Sequence, residues 1–422
     1  MFSVFSAPSS PTTAAHEART RERLPWRLGL RLLGDLVSTG DDGRRALTWR
    51  HRWSHRIRHS YKLRRLLEFR IRPLIKLRRL LEFRIRPLIL HLRLRHLHGP
   101  RKIPYGRGEL IVLCVVRNGA LYVKSFLEHH LALGVAHIVL LDNGSTDATI
   151  HLARRYDRVS ILRTRCPYRK YETILKRYLV NRFARDRWSL FVDIDERFDY
   201  PYSDVINLGE VLAYLNEHSY TAVLAQMLDM FGDGPLDRLG STPEDALEEK
   251  YPYYDISAVE KHDYGFDHPP NSEIKMHTGG IRKTVFGTEN GLTKAALILA
   301  SAKVVPFVGW HHTAGASIAD FSCVLLHFPF VSTFGKKVEE AVRTDRYRVS
   351  AAAEYEQYWM TLKHRPNLSL KTGRARRFEG VNSLLENGFL VVSEQYRRWV
   401  DAHRQKLMMS APAASRDGRE RL

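Results

Sequence analysis

The sequence is poor in cysteine. It has three in 422 residues, Cys114, Cys166 and Cys323. None forms a CxxC pair, so neither a disulfide framework nor a thiolate metal site is implied. They read as small buried hydrophobes in a reducing compartment. No run of 18 or more apolar residues occurs, which leaves no candidate transmembrane helix. Residues 1–23 lack the charged opening and long apolar core of a signal peptide. Negative charge is scarce in the first quarter. Residues 1–102 hold 25 Lys and Arg against 7 Asp and Glu, so +18 of the chain's +21 lies there. That asymmetry is a basic tail on a near-neutral body. Such a tail suits anionic surfaces such as lipid headgroups, and no specific nucleic acid is expected because no recognised module surrounds the arginines.

The tail contains a duplication. Residues 62–75 read KLRRLLEFRIRPLI, and residues 76–89 repeat all fourteen letters. Leu63, Leu66, Leu67 and Leu74 share a helical face among Arg and Lys, a pattern for lying on an anionic membrane. Pro73 and Pro87 limit any helix to short pieces. The other reading is a basic appendage with no role.

Texture changes near Glu109. ELIVLCVVRN (109–118) is a continuous apolar run rich in Val and Ile, the mark of a strand buried on both faces. A helix is expected next, with Tyr122, Phe126, Leu127, His130 and Leu131 in register and Gly134 as its stop. HIVLLDNGS is a second strand, then a short helix capped by Ser145 or Thr146. VSILRTR is a third strand. Residues 170–187 are expected to form a helix with Ile174, Tyr178 and Phe183 inward, and WSLFVDID a fourth strand. The alternation predicts an α/β fold, a mostly parallel sheet flanked by helices. Ligands of such sheets gather at the carboxyl ends of the strands.

Those ends are polar and largely acidic. Arg117 and Asn118 follow the first strand, Asp142, Asn143, Ser145 and Asp147 the second, Asp193, Asp195 and Glu196 the fourth. Clustered carboxylates repel unless a cation sits among them. A divalent cation, Mn²⁺ or Mg²⁺, suits oxygen ligands and shares them with substrate phosphates.

The run VVRNGALYVKSFLEHHLALGVAHIVLLDNGSTDAT, followed by FVDIDERF, resembles the bacterial family 2-like glycosyltransferases with the GT-A fold. The likeness continues through MLDMFGDG (227–234), GGIRKTVFG (279–287), LTKAALI (292–298) and LLHFPF (325–330), covering residues 109–345. The family commonly has Asn-Glu after the first strand, whereas this chain has Asn118-Gly119.

The resemblance implies a nucleotide-diphosphate sugar as donor and an unknown glycan or lipid as acceptor. Arg117, Asn118, Asp142, Asp193, Arg282 and Lys294 would meet the donor, with Asp142 toward base or ribose and Arg282 and Lys294 toward the diphosphate. Asp142 has a second reading, a local turn. The metal ligands would be Asp193, Asp195 and His327. His311 and His312 compete for the histidine's role. An inverting transfer needs a carboxylate base, with Glu196, Asp229 and Asp233 as candidates. Alternative functions are a glycosyltransferase-like nucleotide-binding protein with impaired catalysis, and a nucleotidyltransferase.

The expected organisation is a basic appendage at 1–102, a glycosyltransferase-like domain at 103–345, a helical C-terminal extension at 346–409 and a disordered tail at 410–422. The expected location is cytoplasmic, peripheral at the inner face of the membrane.

Overall fold

The structure, a computed structural model, describes residues 84–410 except 266, 302, 303, 308–310 and 348. The first copy of the repeat and residues 411–422 therefore lie outside the described residues.

The strands are β1 (Arg95–His98), β2 (Leu110–Val116), β3 (His137–Asp142), β4 (Val159–Arg163), β5 (Trp188–Phe191), β6 (Glu196–Asp199), β7 (Ala222–Asp229), β8 (Tyr253–Tyr254), β9 (Val259–Asp263), β10 (Lys275–Gly279), β11 (Thr293–Leu299), β12 (Val305–Phe307), β13 (His312–Ala314), β14 (Cys323–His327) and β15 (Arg376–Arg377). The helices are α1 (Arg86–Arg93), α2 (Ala120–Ala132), α3 (Thr149–Ala153), α4 (Tyr168–Phe183), α5 (Leu208–Glu217), α6 (Leu247–Lys250), α7 (Ile281–Phe286), α8 (Phe334–Thr344), α9 (Val349–His364), α10 (Ser383–Glu386) and α11 (Glu394–Ser410).

Nine strands form one mixed sheet in the order β1-β4-β3-β2-β5-β11-β7-β14-β6. The pairs β4–β3, β3–β2, β2–β5 and β7–β14 are parallel. Strand β11 runs antiparallel to both β5 and β7, so β7 and β14 point the same way as the first four. Strands β1 and β6 are antiparallel edges.

Strand β2 explains why the apolar run has no alternation. Leu110, Val112, Cys114 and Val116 face one core, with Val123, Phe126 and Leu127 of α2. Ile111 and Leu113 face the other, with Leu175, Leu179 and Phe183 of α4. A strand covered on both faces has no polar positions to alternate with. On α4 the inward face is Tyr171, Leu175, Leu179, Val180 and Phe183, while Ile174 and Tyr178 are only half-buried.

Two boundaries differ from the sequence reading. The basic appendage does not end at Lys102. Leu90 of α1 is fully buried, and β1 pairs with β4, so the residues of α1 and β1 belong to the folded body. Arginines carry their charge on long stems, so a basic segment can still dock through its leucines. The C-terminal region is not a separate extension either, because Tyr396 and Val400 of α11 sit in the core beside Phe321.

Candidate functional site

Six parallel strands put their carboxyl ends on one rim. Arg117 and Asn118 follow β2, Asp142 and Arg163 close β3 and β4, Asp193 to Asp195 follow β5, and Asp229 and His327 end β7 and β14. Asp229 and His327 are register partners, and His327 also pairs across from Glu196.

The acids divide into two groups. In the first, Lys294 Nζ lies 2.8 Å from Asp193 Oδ2 and also bonds Glu196. Lys294 and Glu196 are buried. Glu196 Oε2 accepts from the Asp193 N–H at 2.9 Å, which ties the turn to itself. Burial alone would raise the Asp193 carboxyl, but Lys294 outweighs it and brings the pKa down to about 2.

In the second group, Arg282 grips Asp229 with two bonds, Nε to Oδ2 at 2.7 Å and Nη2 to Oδ1 at 2.6 Å. His327 Nδ1 is 2.6 Å from Asp229 Oδ1, and its Nε2 is 3.7 Å from Asp195 Oδ2. Lys337 Nζ is 3.0 Å from that same Asp195 oxygen. Against burial, Arg282 and His327 hold Asp229 down to about 2. Burial opposes charge on the His327 ring too, yet Asp195 and Asp229 outweigh it and raise its pKa. With Nδ1 turned to Asp229, Nε2 faces Asp195, and the charged ring carries a proton on each nitrogen. The contact of Nδ1 with Asp229 is the carboxylate–imidazole pattern by which metal-binding histidines are oriented.

Several expected residues do other work. Asp142 is fully buried and accepts from the Ser145 and Gly144 N–H groups at 2.9 and 3.3 Å, with Arg163 Nε at 3.1 Å. Its carboxylate builds the turn and does not face an open cavity. Asn118 adopts φ 53° and accepts from Thr146 N at 2.9 Å, holding the β2 turn against the β3 turn. Arg117 pairs with Glu340 at 3.0 Å. Neither Ser145 nor Thr146 caps the short helix. Asp147 Oδ1 takes the Thr149 N–H at 3.0 Å instead. Asp233 is exposed and bonded to Lys371, so of the three expected bases only it keeps an exposed carboxylate. His311 Nδ1 hydrogen bonds the Thr293 carbonyl at 2.8 Å, and His312 lies in β13.

Asp193, Asp195 and His327 are not brought together as one ligand set. Asp193 is bonded to Lys294, whereas Asp195 faces His327 and Lys337. Among the described residues, no group of three or more His, Cys, Asp or Glu is arranged to hold a metal ion. The donor chemistry of Asp195 and His327 nevertheless fits two ligands of one divalent cation. Their atoms are 3.7 Å apart, and each ligand would need to reach about 2.1 Å from a Mg²⁺-sized ion. A site with so few protein ligands is the kind completed by water and substrate phosphates.

Two residues at the site escaped the sequence reading. Arg197 is fully buried and donates to the carbonyls of Ile194 (3.1 Å), Glu196 (3.0 Å) and Tyr122 (3.2 Å), clamping the D-x-D turn onto α2. Burial lowers its pKa to about 10. An arginine between Glu196 and Phe198 in a strand-like run was the available signal. Lys337 reaches Asp195 from 142 positions away, and nothing local announces it.

No protein-family model and no curated protein matches the chain. No helix among the described residues is long and apolar enough to cross a membrane.

Proposed function

We propose that the chain is a glycosyltransferase of GT-A type that moves a sugar from a nucleotide-diphosphate donor with the help of Mn²⁺ or Mg²⁺. The observation that carries this reading is the approach of His327 Nε2 to Asp195 on a rim where six parallel strands end, with Asp229 behind the imidazole. When bound, the cation supplies Lewis-acid stabilisation of charge on the departing nucleoside diphosphate. Asp195 and His327 hold it. Asp229 fixes the tautomer of His327, and Arg282 keeps Asp229 ionised and aimed. Lys294 neutralises Asp193 and Glu196 and so keeps the D-x-D turn from flying apart. Asp233 is the carboxylate left to serve as acceptor base. The acceptor is a glycan or lipid, reached at the inner face of the membrane with the basic N-terminus on anionic headgroups.

A second reading, a glycosyltransferase-like protein that binds nucleotide without transfer, is favoured by Gly119. A Cβ there would lie 2.8 Å from Val116 Cγ2 and 3.0 Å from Ile194 Cγ1. The acid that the resembled family carries at this position would require Val116 and Ile194 to shift. Calorimetry with a panel of nucleotide sugars and Mn²⁺, followed by product analysis, separates the readings. Release of nucleoside diphosphate with a glycosylated product supports transfer, binding without turnover supports the second reading, and release of pyrophosphate marks a nucleotidyltransferase. No binding by any nucleotide sugar overturns both readings.

A further inference from the structure

Helix α8 lies across the acid rim, and its charged residues are bonded to the groups that a diphosphate would meet. Lys337 Nζ is 3.0 Å from Asp195 Oδ2, and one turn on Glu340 Oε1 is 3.0 Å from Arg117 Nη2. Just past the helix Asp345 pairs with Arg169, and the Arg346 guanidinium stands over the Tyr168 ring at 5.3 Å. The helix is thus pinned to the end of β2, to the D-x-D turn and to the first turn of α4.

These pins differ from the Lys294 knot in exposure. The Lys337 side chain is 38% exposed, against 8% for Lys294 and 1% for Glu196. An ammonium on a partly exposed, flexible stem can swing from one oxygen to another, and the cost of leaving buried Asp195 is offset when a cation takes its place. Asp195 Oδ2 is also the oxygen that His327 Nε2 faces. A divalent cation shared by that oxygen and the imidazole would set two cations on one carboxylate oxygen, and the pair between Lys337 and Asp195 would weaken. The nearest new anion would be a phosphate oxygen bridged to the cation. An ammonium offers three donors to it without demanding a fixed plane.

We propose that Lys337 is a ligand of the donor's diphosphate, handing Asp195 to the cation and taking a phosphate oxygen in exchange. The assignment rests on the donor reading above. It gives a nucleoside diphosphate an advantage over a nucleoside, and it makes Lys337 the counter-ion of the rim before the donor arrives and a donor ligand afterwards.

The test titrates UDP, GDP and ADP with MnCl₂ into the full chain and its Lys337→Met, Lys337→Gln and Lys337→Arg variants. Mn²⁺ alone is followed by electron paramagnetic resonance. Loss of a charge-assisted hydrogen bond should weaken the diphosphate by about tenfold or more in Lys337→Met and Lys337→Gln. Lys337→Arg should stay within about threefold, because it keeps the charge. Mn²⁺ alone should bind the Met and Gln variants at least as tightly as the parent, since a competing ammonium is gone. Opposite signs for metal and diphosphate are not produced by a helix that has merely come loose. If Lys337 only pins α8, both variants lose Mn²⁺ and diphosphate together, and the assignment is overturned. Parent-like diphosphate binding by both variants overturns it as well and leaves the donor reading intact. If the parent binds none of the three diphosphates, the donor reading falls and takes Lys337 with it. If the Met variant does not fold, the Gln variant decides.

Discussion

The two ends of the parallel strands solve the burial of polar groups in different ways. At the carboxyl end, each buried acid described above meets a cation: Arg163 on Asp142, Lys294 on Glu196, Lys337 on Asp195 and Arg282 on Asp229, and Lys294 also holds the part-exposed Asp193. At the amino end the partners are neutral. His137, the first residue of β3, lies 2.9 Å from Ser160 Oγ, and Asp320, just before β14, accepts from the Tyr214 hydroxyl at 2.8 Å and from Ser393. A buried carboxylate oxygen can be held by hydroxyls without a counter-ion, as Asp320 Oδ2 is at the amino end. Charge pairs add little stability over neutral packing. Under the proposed function, their concentration at one end is where the charged donor would sit.

The largest test of this contrast is Lys294→Met. It leaves the buried Glu196, and with it the part-exposed Asp193, without a cation, which costs about 3–5 kcal/mol. Urea denaturation at pH 7 reads it. A loss below about 1 kcal/mol would mean that the carboxyl end is no more dependent on charge than the amino end.

The amino end should respond to acid. Burial, aided by Arg158 and His98, pushes the His137 ring down to about 4. Below its ordinary pKa of about 6.5 the unfolded chain takes a proton that the folded ring refuses. Stability contributed by the neutral ring is therefore complete above about 6.5 and is lost as pH falls toward 4, at up to about 1.4 kcal/mol per pH unit. Stability measured at pH 7.5, 6 and 5 should show this slope, and His137→Gln should flatten it. An unchanged slope in that variant would place the acid response elsewhere.

Asp195→Asn should cost about 1 kcal/mol or less, because its partner Lys337 is half-exposed and solvates easily. The same variant should lose metal-dependent binding of nucleoside diphosphate. Parent-like binding would remove Asp195 from the site. Smallest of all is Glu340→Gln, whose pair with Arg117 is partly exposed on both sides. A thermal melt should move by no more than a degree or two, since such pairs contribute about 0–1 kcal/mol.

The strands nearest Glu109 were legible because burial on both faces demands unbroken apolar runs, which β2 and β3 supply. The acidic strand ends were legible for the converse reason, that charge after such a run has no place in a core. The turn role of Asp142 was visible in DNGS as one of two readings, and the Ser145 and Gly144 N–H groups bond its carboxylate as that reading expects. The antiparallel insertion of β11 between β5 and β7 was not legible, because strand direction leaves no trace in a short apolar run. Nor were the cations legible. Lys294 and Lys337 come from segments 101 and 142 positions from their partners, and pairing at such separations is decided by topology. The docking of α1 was hidden by the arginines around Leu90.

That last element bears on the duplication. Arg86 to Ile89, the start of α1, is repeated letter for letter at Arg72 to Ile75, so two stretches of one chain carry the same opening for one docking place. The residue that follows decides between them. Leu90 is fully buried, whereas the position after the first copy is Lys76. Putting a lysine where Leu90 sits would bury an ammonium with no partner made for it. A fourteen-residue slip of the chain is therefore rejected by a single side chain, and a tandem copy can be inserted upstream without making the fold choose between two registers.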